Sequence, residues 1–415
     1  MSDTTRVAVV AGARTPFAKA GAQLRKHRAL DLGVHAVDGL LDRADIDPSI
    51  VDTLVYGIVV VDARVPHLAR EVNFKSRLPD STRSLTITDN CITSASGIEL
   101  VVDSIRAGRA EVGIAGGVES MSNPSVLMTK RASSIFLQAS GARSLSDRLK
   151  IFAKLRPKDL VPQAPGVAEP STGLSMGEHC ELMVKEWKIS RQEQDEIAYH
   201  SHMNAAAATE DGRLPDEIAP LDGIDRDTLI RADTSMEKLA KLKTVFDPTA
   251  AGTLTAGNSS PLTDGAAAVM LMSEDRAKAE GKEPMAFIRD VEFVGINPAD
   301  GLLMGPGVAV PRLLRRNGLE LDDMDIVEMH EAFGGQVACN LAAWEQGWQE
   351  PPIGKLDRTK LNPLGSSISV GHPFAATGAR IVTTLANEMA RRDSRYGLVS
   401  ICGAGATAAA IILER

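Results

Sequence analysis

The chain has 415 residues, 44% apolar and 24% charged, with 35 glycines and a formal net charge of −8; these are the proportions of a globular protein long enough for two or three compact units. That charge argues against a general nucleic-acid binder, and no apolar run approaches the roughly 20 residues of a membrane span. Four scattered cysteines (Cys91, Cys180, Cys339, Cys402) exclude a disulfide framework or a CxxC metal pair, and with a start, MSDTTRVAVV, unlike a signal or transit peptide, the expected setting is a reducing cytoplasm.

In chain order, RVAVVAG (6–12) reads as a buried strand, ALDLGVHAVDGLLDRA (29–44) as an amphipathic helix and VDTLVYGIVV (51–60) as a second strand. SLTITDN (84–90) is a third strand. It runs into Cys91 and then a helical pattern through residue 106, followed by the strand EVGIAGG (111–117). This alternation predicts a largely parallel sheet with helices on its faces. A cysteine at a strand-to-helix turn is well placed for chemistry, because helix-start N–H groups and the dipole favour thiolate and lower the pKa. A lone cysteine is, however, more often a small core residue.

From 121 to 250 the texture turns polar, basic and Pro-rich, and PQAPGVAEPSTG (162–173) reads as loop. Ser190 and Glu193 form an S-x-x-E start signal for a helix that Gly212 closes. We read 121–250 as an insertion. In GTLTAGNSS, Asn258, Ser259 and Ser260 form a polar turn, with a structural role as the plain reading; the strand pattern resumes at GAAAVMLMSEDRA (265–277).

The last part of the chain repeats the first. LLDRADIDPSIVDTLV (40–55) lies over LLRRNGLELDDMDIVE (313–328) at an offset of 313 − 40 = 273, and Cys91 and Gly97 lie over His372 and Gly378 at 372 − 91 = 281. The repeat predicts that Cys91 and His372 begin equivalent helices whose starts face one site. His330 in EMHEAFGGQ follows a strand-like run and would be delivered at a strand's carboxyl end, where open α/β sheets place their sites. Cys402 lies in YGLVSICGAGATAAAIILER; GAGATA is followed by a strand rather than a helix, which excludes a dinucleotide fingerprint. Cys180 and Cys339 read as core residues.

Taken together, RVAVVAGARTPFAK, DNCITS, GGVESMS, GTLTAGNSSPLTDGAAAV, MHEAFGGQ, GHPFAATGAR and the late CGAG resemble the thiolase family across almost the whole chain. Within it, His330 in HEAF, NSSPLTDGA and the segment from SDRLKIFAK to SRQEQDE are most similar to the 3-ketoacyl-CoA thiolase (beta) subunits of fatty-acid oxidation trifunctional complexes and their bacterial relatives. The resemblance implies an α/β thiolase fold, with two βαβαβαββ halves in a five-layered α-β-α-β-α core. The expected division is 1–120 and 251–277 for the first half, 121–250 for a loop domain over the substrate and 278–415 for the second half. It also implies a dimer or dimer of dimers, a hydratase/dehydrogenase subunit as a candidate partner, and coenzyme A as co-substrate with no metal or bound cofactor.

Carried over by motif, Cys91 resembles the acylated nucleophile, His372 its base, Cys402 the second acid/base, and His330 the residue that orders a water near the thioester oxygen. The backbone N–H groups of Cys91 and Ala404 match an oxyanion hole, and Ser260 with Asn258 a CoA-binding turn. Ala404, Ala406 and Thr407 depart from the family's Gly-rich ending, as ITSAS does after Cys91. The implied reaction is attack of Cys91 on a 3-keto carbon, release of acetyl-CoA and transfer of the acyl group to CoA, with Cys402 working near an ordinary thiol pKa of ~8.5. Residues 143–158 carry six basic residues, among them Arg148, Lys150 and Lys154, against Asp147, with Leu145, Leu149, Phe152 and Leu155 at helical spacing. They predict an amphipathic helix that is solvated, or meets CoA phosphates, a membrane surface or a partner. The rivals are a short-chain acetyl-CoA acetyltransferase running in the condensing direction and a catalytically silent acyl-CoA-binding scaffold.

Overall fold

A computed structural model describes residues 5–162, 166 and 168–415. The chain divides into two compact units: a large one of residues 1–59, 67–123 and 168–415, and a small one of 60–66 and 124–167. Residues 168–250 therefore cluster with the strands rather than with 124–167. A buried Arg14 explains part of this: its two terminal nitrogens donate to Asp227 at 2.6 and 2.8 Å, and its Nε to Glu217 at 3.5 Å.

In the first half of the large unit the order is β1 (Val7–Arg14), β2 (Ala18–Lys19), α1 (Ala29–Ala44), β3 (Thr53–Gly57), α2 (Leu68–Lys75), β4 (Arg83–Ile87), α3 (Thr93–Arg106) and β5 (Val112–Glu119). The small unit holds α4 (Lys130–Gly141) and α5 (Leu145–Phe152). The large unit resumes with α6 (Met176–Glu186), α7 (Arg191–Glu210), α8 (Met236–Ala240), β6 (Thr263–Ser273) and α9 (Glu274–Ala279). The second half follows: β7 (Ala286–Gly295), α10 (Pro306–Asn317), β8 (Ile326–Met329), α11 (Gly334–Gln346), α12 (Ser367–Val370), α13 (Thr377–Arg392), β9 (Tyr396–Gly403) and β10 (Thr407–Glu414).

The sheet order is β4-β3-β5-β6-β1-β7-β10-β9-β8, with β2 on β6. Read outward from the β1–β7 junction, each half repeats the other. The pairs β1·β6 and β7·β10 are antiparallel, as are β5·β6 and β9·β10, while β3·β5 and β8·β9 are parallel. The join itself is short, three antiparallel residue pairs from Val7↔Ile288 to Val9↔Ala286. Helices α3 and α13 contact each other and form the middle layer, α1 and α2 cover the first half, and α10 and α11 the second. This is the expected α-β-α-β-α order.

Strand alternation places the layers. Ala409, Ile411 and Leu413 of β10 join the central core with Ile98, Val102, Val382 and Leu385, whereas Ala408, Ala410 and Ile412 join the outer core with Leu313 and Trp344. A strand buried on both faces reads as an unbroken apolar run, and AAAIIL is one.

The 273 offset holds in the structure: α1 ends at Ala44 and α10 at Asn317, and β3 starts at Thr53 and β8 at Ile326. The 281 offset does not. The α3 and α13 starts, Thr93 and Thr377, differ by 284, so Cys91 corresponds to Ala375 and His372 stands three residues earlier. The second half also lacks a counterpart to β4. There Leu361 makes a single parallel bridge to Val327, and Pro363, with no N–H to donate, follows too soon for a ladder to extend. The amphipathic helix read over 143–158 is shorter, ending at Phe152, consistent with Pro157 disfavouring helix at Arg156. The loop reading of 162–173 falls partly, and the first four residues fall wholly, outside the described residues.

Candidate active site

Cys91 sits in a 3-10 turn, Asn90–Ile92, that leads into α3. His372 lies between α12 and a second such turn, Phe374–Ala376, that leads into α13. Where these two helices cross, Ser94 Oγ accepts the Ala379 N–H at 2.8 Å, so both turns meet at one point. His372 Nε2 is 3.2 Å from Cys91 Sγ, and its Nδ1 is 2.7 Å from Thr377 Oγ1. The His372 backbone N–H donates to Thr263 Oγ1 at 3.0 Å, tying the ring's position to β6. His330 follows β8 directly. Its N–H donates to the Ser400 carbonyl at 2.8 Å, and its ring centroid is 4.1 Å from that of His372.

The turn from β9 to β10 supplies the opposite wall. Cys402 is the penultimate residue of β9, 1% exposed, in a cluster with Leu254, Phe333 and Ala406. Asn90, at φ +47°, directs its amide to the Ala404 carbonyl at 2.9 Å, and the Ala404 N–H favours the thiolate form of Cys91. Asparagine is among the few side chains that tolerate the left-handed region, and here it fixes the orientation of the Ala404 peptide.

Electrostatics correct one expectation. Cys91 retains partial exposure, yet the surroundings of its sulfur push the thiol up to about 12. Desolvation outweighs the Ala404 N–H, and Glu119 adds a further rise. A helix start therefore does not make this cysteine a resting thiolate. Burial together with the Arg380 charge brings His372 down to about 3. The resting pair is a neutral thiol hydrogen-bonded to a neutral imidazole. Burial and the nearby Cys91 thiol raise Cys402 well above the ordinary thiol value, so it rests as a proton donor, not at the near-neutral poise its residue type suggests. His330 is likewise held neutral, chiefly by burial and further by the Arg380 guanidinium; the adjacent His372 ring disfavours a second positive charge beside it.

A sulfur and two imidazole nitrogens, from Cys91, His372 and His330, lie within 4.8 Å of one another. This set could hold a soft divalent ion. It also provides what acyl transfer needs: a nucleophile on a base, backbone donors beside it, and a second thiol as acid.

Not every residue singled out in the sequence reaches this cluster. Asn258 is fully buried and committed: its Oδ1 accepts the Thr255 N–H at 2.7 Å and its Nδ2 donates to Asp195 at 2.9 Å. Its side chain thus serves the turn itself, the plain reading of this polar segment. Ser260 is half-buried, with its backbone N–H on the Ala332 carbonyl at 2.9 Å. Arg148, Lys150 and Lys154 lie in the small unit. Conversely, Thr377, Ser367 and Arg380 serve the two histidines and went unread; Arg380 and Thr377 stood inside the GHPFAATGAR motif without a signal of their own. A separate cavity of about 750 Å³, between α7 and residues 358–363, is lined by Glu193, His200, Ser201, Glu331 and Arg358 and contains none of the catalytic candidates.

Comparison with known proteins identifies the family. The chain matches the family models for the thiolase N-terminal domain over residues 7–275 and the thiolase C-terminal domain over 282–415. It is 42% identical to proteins named 3-ketoacyl-CoA thiolase from Colwellia psychrerythraea and Shewanella baltica, over 99% of this chain and 97% of each relative. Among solved structures it is similar to human mitochondrial 3-ketoacyl-CoA thiolase in complex with CoA (TM-score 0.85, 30% identity, 99% and 98% coverage). It is equally similar to Bacillus anthracis acetyl-CoA acetyltransferase (TM-score 0.85, 30% identity, 99% of both chains).

Proposed function

The chain belongs to the thiolase family, and on that premise we propose that it is a 3-ketoacyl-CoA thiolase of fatty-acid β-oxidation that uses Cys91 as its nucleophile. The observation that carries the reading is the 3.2 Å contact of Cys91 Sγ with His372 Nε2. The 42% identity to 3-ketoacyl-CoA thiolases favours this substrate class over the condensing reading; the solved neighbours include both kinds of enzyme at equal structural similarity.

The Cys91 proton passes to His372 Nε2 as sulfur attacks the 3-keto carbon, and the N–H groups of Cys91 and Ala404 receive the developing oxyanion. The C2–C3 bond breaks, leaving the acyl group on sulfur and an acetyl-CoA enolate whose thioester oxygen His330 stabilises. Cys402 gives its proton to C2. Its thiolate then takes the proton of the incoming CoA thiol, CoA attacks the acyl thioester, and Cys91 recovers its proton from His372. Because both resting groups are neutral, charge separation happens only with substrate in place, where preset donors offset its cost. Ser260 stands as a candidate contact for the pantetheine arm, and Arg148, Lys150 and Lys154 as candidates for the CoA phosphates.

Several further readings follow from the same premise. A homo-oligomer is supported by β4, which among the described residues has a strand neighbour on one side only and exposes Leu85. The small unit exposes Leu137, Leu145, Leu149 and Phe152 beside its basic residues, which supports docking on an anionic membrane surface or on a hydratase/dehydrogenase subunit. No helix among the described residues is long and apolar enough to cross a membrane. Four free cysteines fit a cytoplasmic setting.

CoA-dependent thiolysis of 3-ketoacyl-CoAs from four to sixteen carbons tests the central proposal. Turnover should favour the longer chains and disappear in a folded Cys91→Ala variant. Undiminished turnover by that variant would remove Cys91 as nucleophile, and activity confined to acetoacetyl-CoA would favour the short-chain reading.

A further inference from the structure

Two imidazoles stand side by side in this site with different tasks, and each is touched on Nδ1 by one hydroxyl group. His372 Nδ1 is 2.7 Å from Thr377 Oγ1, and that hydroxyl donates to the Pro373 carbonyl at 3.3 Å. A hydroxyl has one proton, so once it is given to the carbonyl the oxygen can only accept from the ring. Nδ1 of His372 therefore carries hydrogen, and its Nε2 offers a lone pair to the Cys91 thiol.

At His330 the bookkeeping runs the other way. Ser367 Oγ is 2.7 Å from His330 Nδ1 and accepts an N–H of Arg380 at 2.9 Å. A guanidinium only donates, so the Ser367 hydroxyl already holds a donor and has its own proton to place. The neighbour that can take it is His330 Nδ1. With Nδ1 accepting, the neutral ring carries its hydrogen on Nε2, the nitrogen that is buried and has no partner among the described residues. Arg380 is itself 1% exposed and also donates to Ser366 Oγ at 3.2 and 3.3 Å, which fixes the direction of the relay.

We propose that Ser367, oriented by Arg380, is a positioning residue that sets His330 in the Nε2–H tautomer, the opposite of its neighbour His372, and so makes it a preset donor for the thioester oxygen. The purpose of this arrangement rests on the thiolase reading above; the tautomer itself does not. Threonine and serine thus tune adjacent rings to opposite polarity: one hydroxyl delivers its proton to a main-chain carbonyl, and the other has its lone pair claimed by an arginine. A histidine pair with both Nε2 atoms unprotonated would face the enolate oxygen with a lone pair, and the developing charge would meet repulsion there.

Long-range 1H–15N spectra of the full-length protein labelled with 15N-histidine read the tautomers directly, with His330→Ala and His372→Ala to assign the signals. The expected result is a protonated Nε2 and bare Nδ1 for His330, and the reverse for His372. Ser367→Ala should mix the His330 tautomers and lower kcat about 10²-fold with KM changed less than about threefold, whereas Ser367→Thr should restore most of both. Protonation of His330 at Nδ1 in the wild type overturns the proposal whatever the kinetics. So does a folded Ser367→Ala variant with an unchanged tautomer and kcat. If Ser367→Ala fails to fold, the wild-type spectrum still decides. If His330 is Nε2–H but His330→Ala keeps full kcat, the setting by Ser367 stands and the oxyanion role of His330 falls.

Discussion

At the residue scale, the decisive quantity is the protonation state of the Cys91–His372 pair. Residue type and position suggested a thiolate stabilised by a helix start; burial makes the resting state a neutral thiol instead, pushed up to about 12, beside an imidazole brought down to about 3. While pH stays below the folded pKa, the thiolate fraction rises tenfold per unit. Iodoacetamide alkylation of Cys91, followed by mass spectrometry, should therefore keep accelerating up to pH 9. A plateau between pH 6 and 8 would mean that the thiolate already dominates and would refute the neutral pair. His372→Ala removes the proton acceptor at 3.2 Å and should lower kcat by about 10²–10⁴, measured with a saturating 3-ketoacyl-CoA. The identities Cys91, His372, Cys402 and His330 were legible in the sequence because each sits beside turn-forming or small residues in a motif. Their protonation was not, since desolvation comes from residues far away in the chain.

At the element scale, the site exists because α3 and α13 approach closely enough for their leading turns to touch. Gly378 allows this: a Cβ there would lie 2.7 Å from the Ala95 backbone nitrogen and 3.0 Å from Ser94 Oγ. Gly378→Ala must push the helices apart, at a cost of about 1–3 kcal/mol in overpacking. It should also lower kcat by about 10²-fold through a displacement of order 1 Å between Cys91 and His372. Denaturant titration and steady-state kinetics on one preparation separate the two effects. A variant with wild-type kcat would show that the crossing does not control the pair. The helices were readable from periodicity and caps, as α1 and α7 were. Their spacing was not, and the 281 register was off by three residues because the sequence match followed similar residue types, not the helix starts.

At the scale of the whole molecule, the duplication dominates. The strand order reverses about the β1–β7 join, and each half contributes one helix, led by a candidate catalytic residue, to the middle layer. The small unit is the exception, since it has no counterpart in the second half and exposes apolar side chains next to basic ones. If it docks on a membrane, Leu145→Glu with Leu149→Glu should reduce co-sedimentation with phosphatidylserine-containing vesicles at least tenfold while leaving thiolysis of a soluble short-chain substrate unchanged. Equal binding by variant and wild type would exclude that face as the membrane contact.

The sequence by itself determined the family, the α/β class, the two-half repeat and the candidate reacting side chains, because local pattern and motif are written in neighbouring residues. Tertiary structure alone decided that the Asn258 side chain is buried in its own turn, that the second half makes do with one bridge where the first has a strand, and that both thiols and both imidazoles rest uncharged. Those properties depend on which distant groups surround a side chain once water has been excluded, and burial on that scale has no local signature.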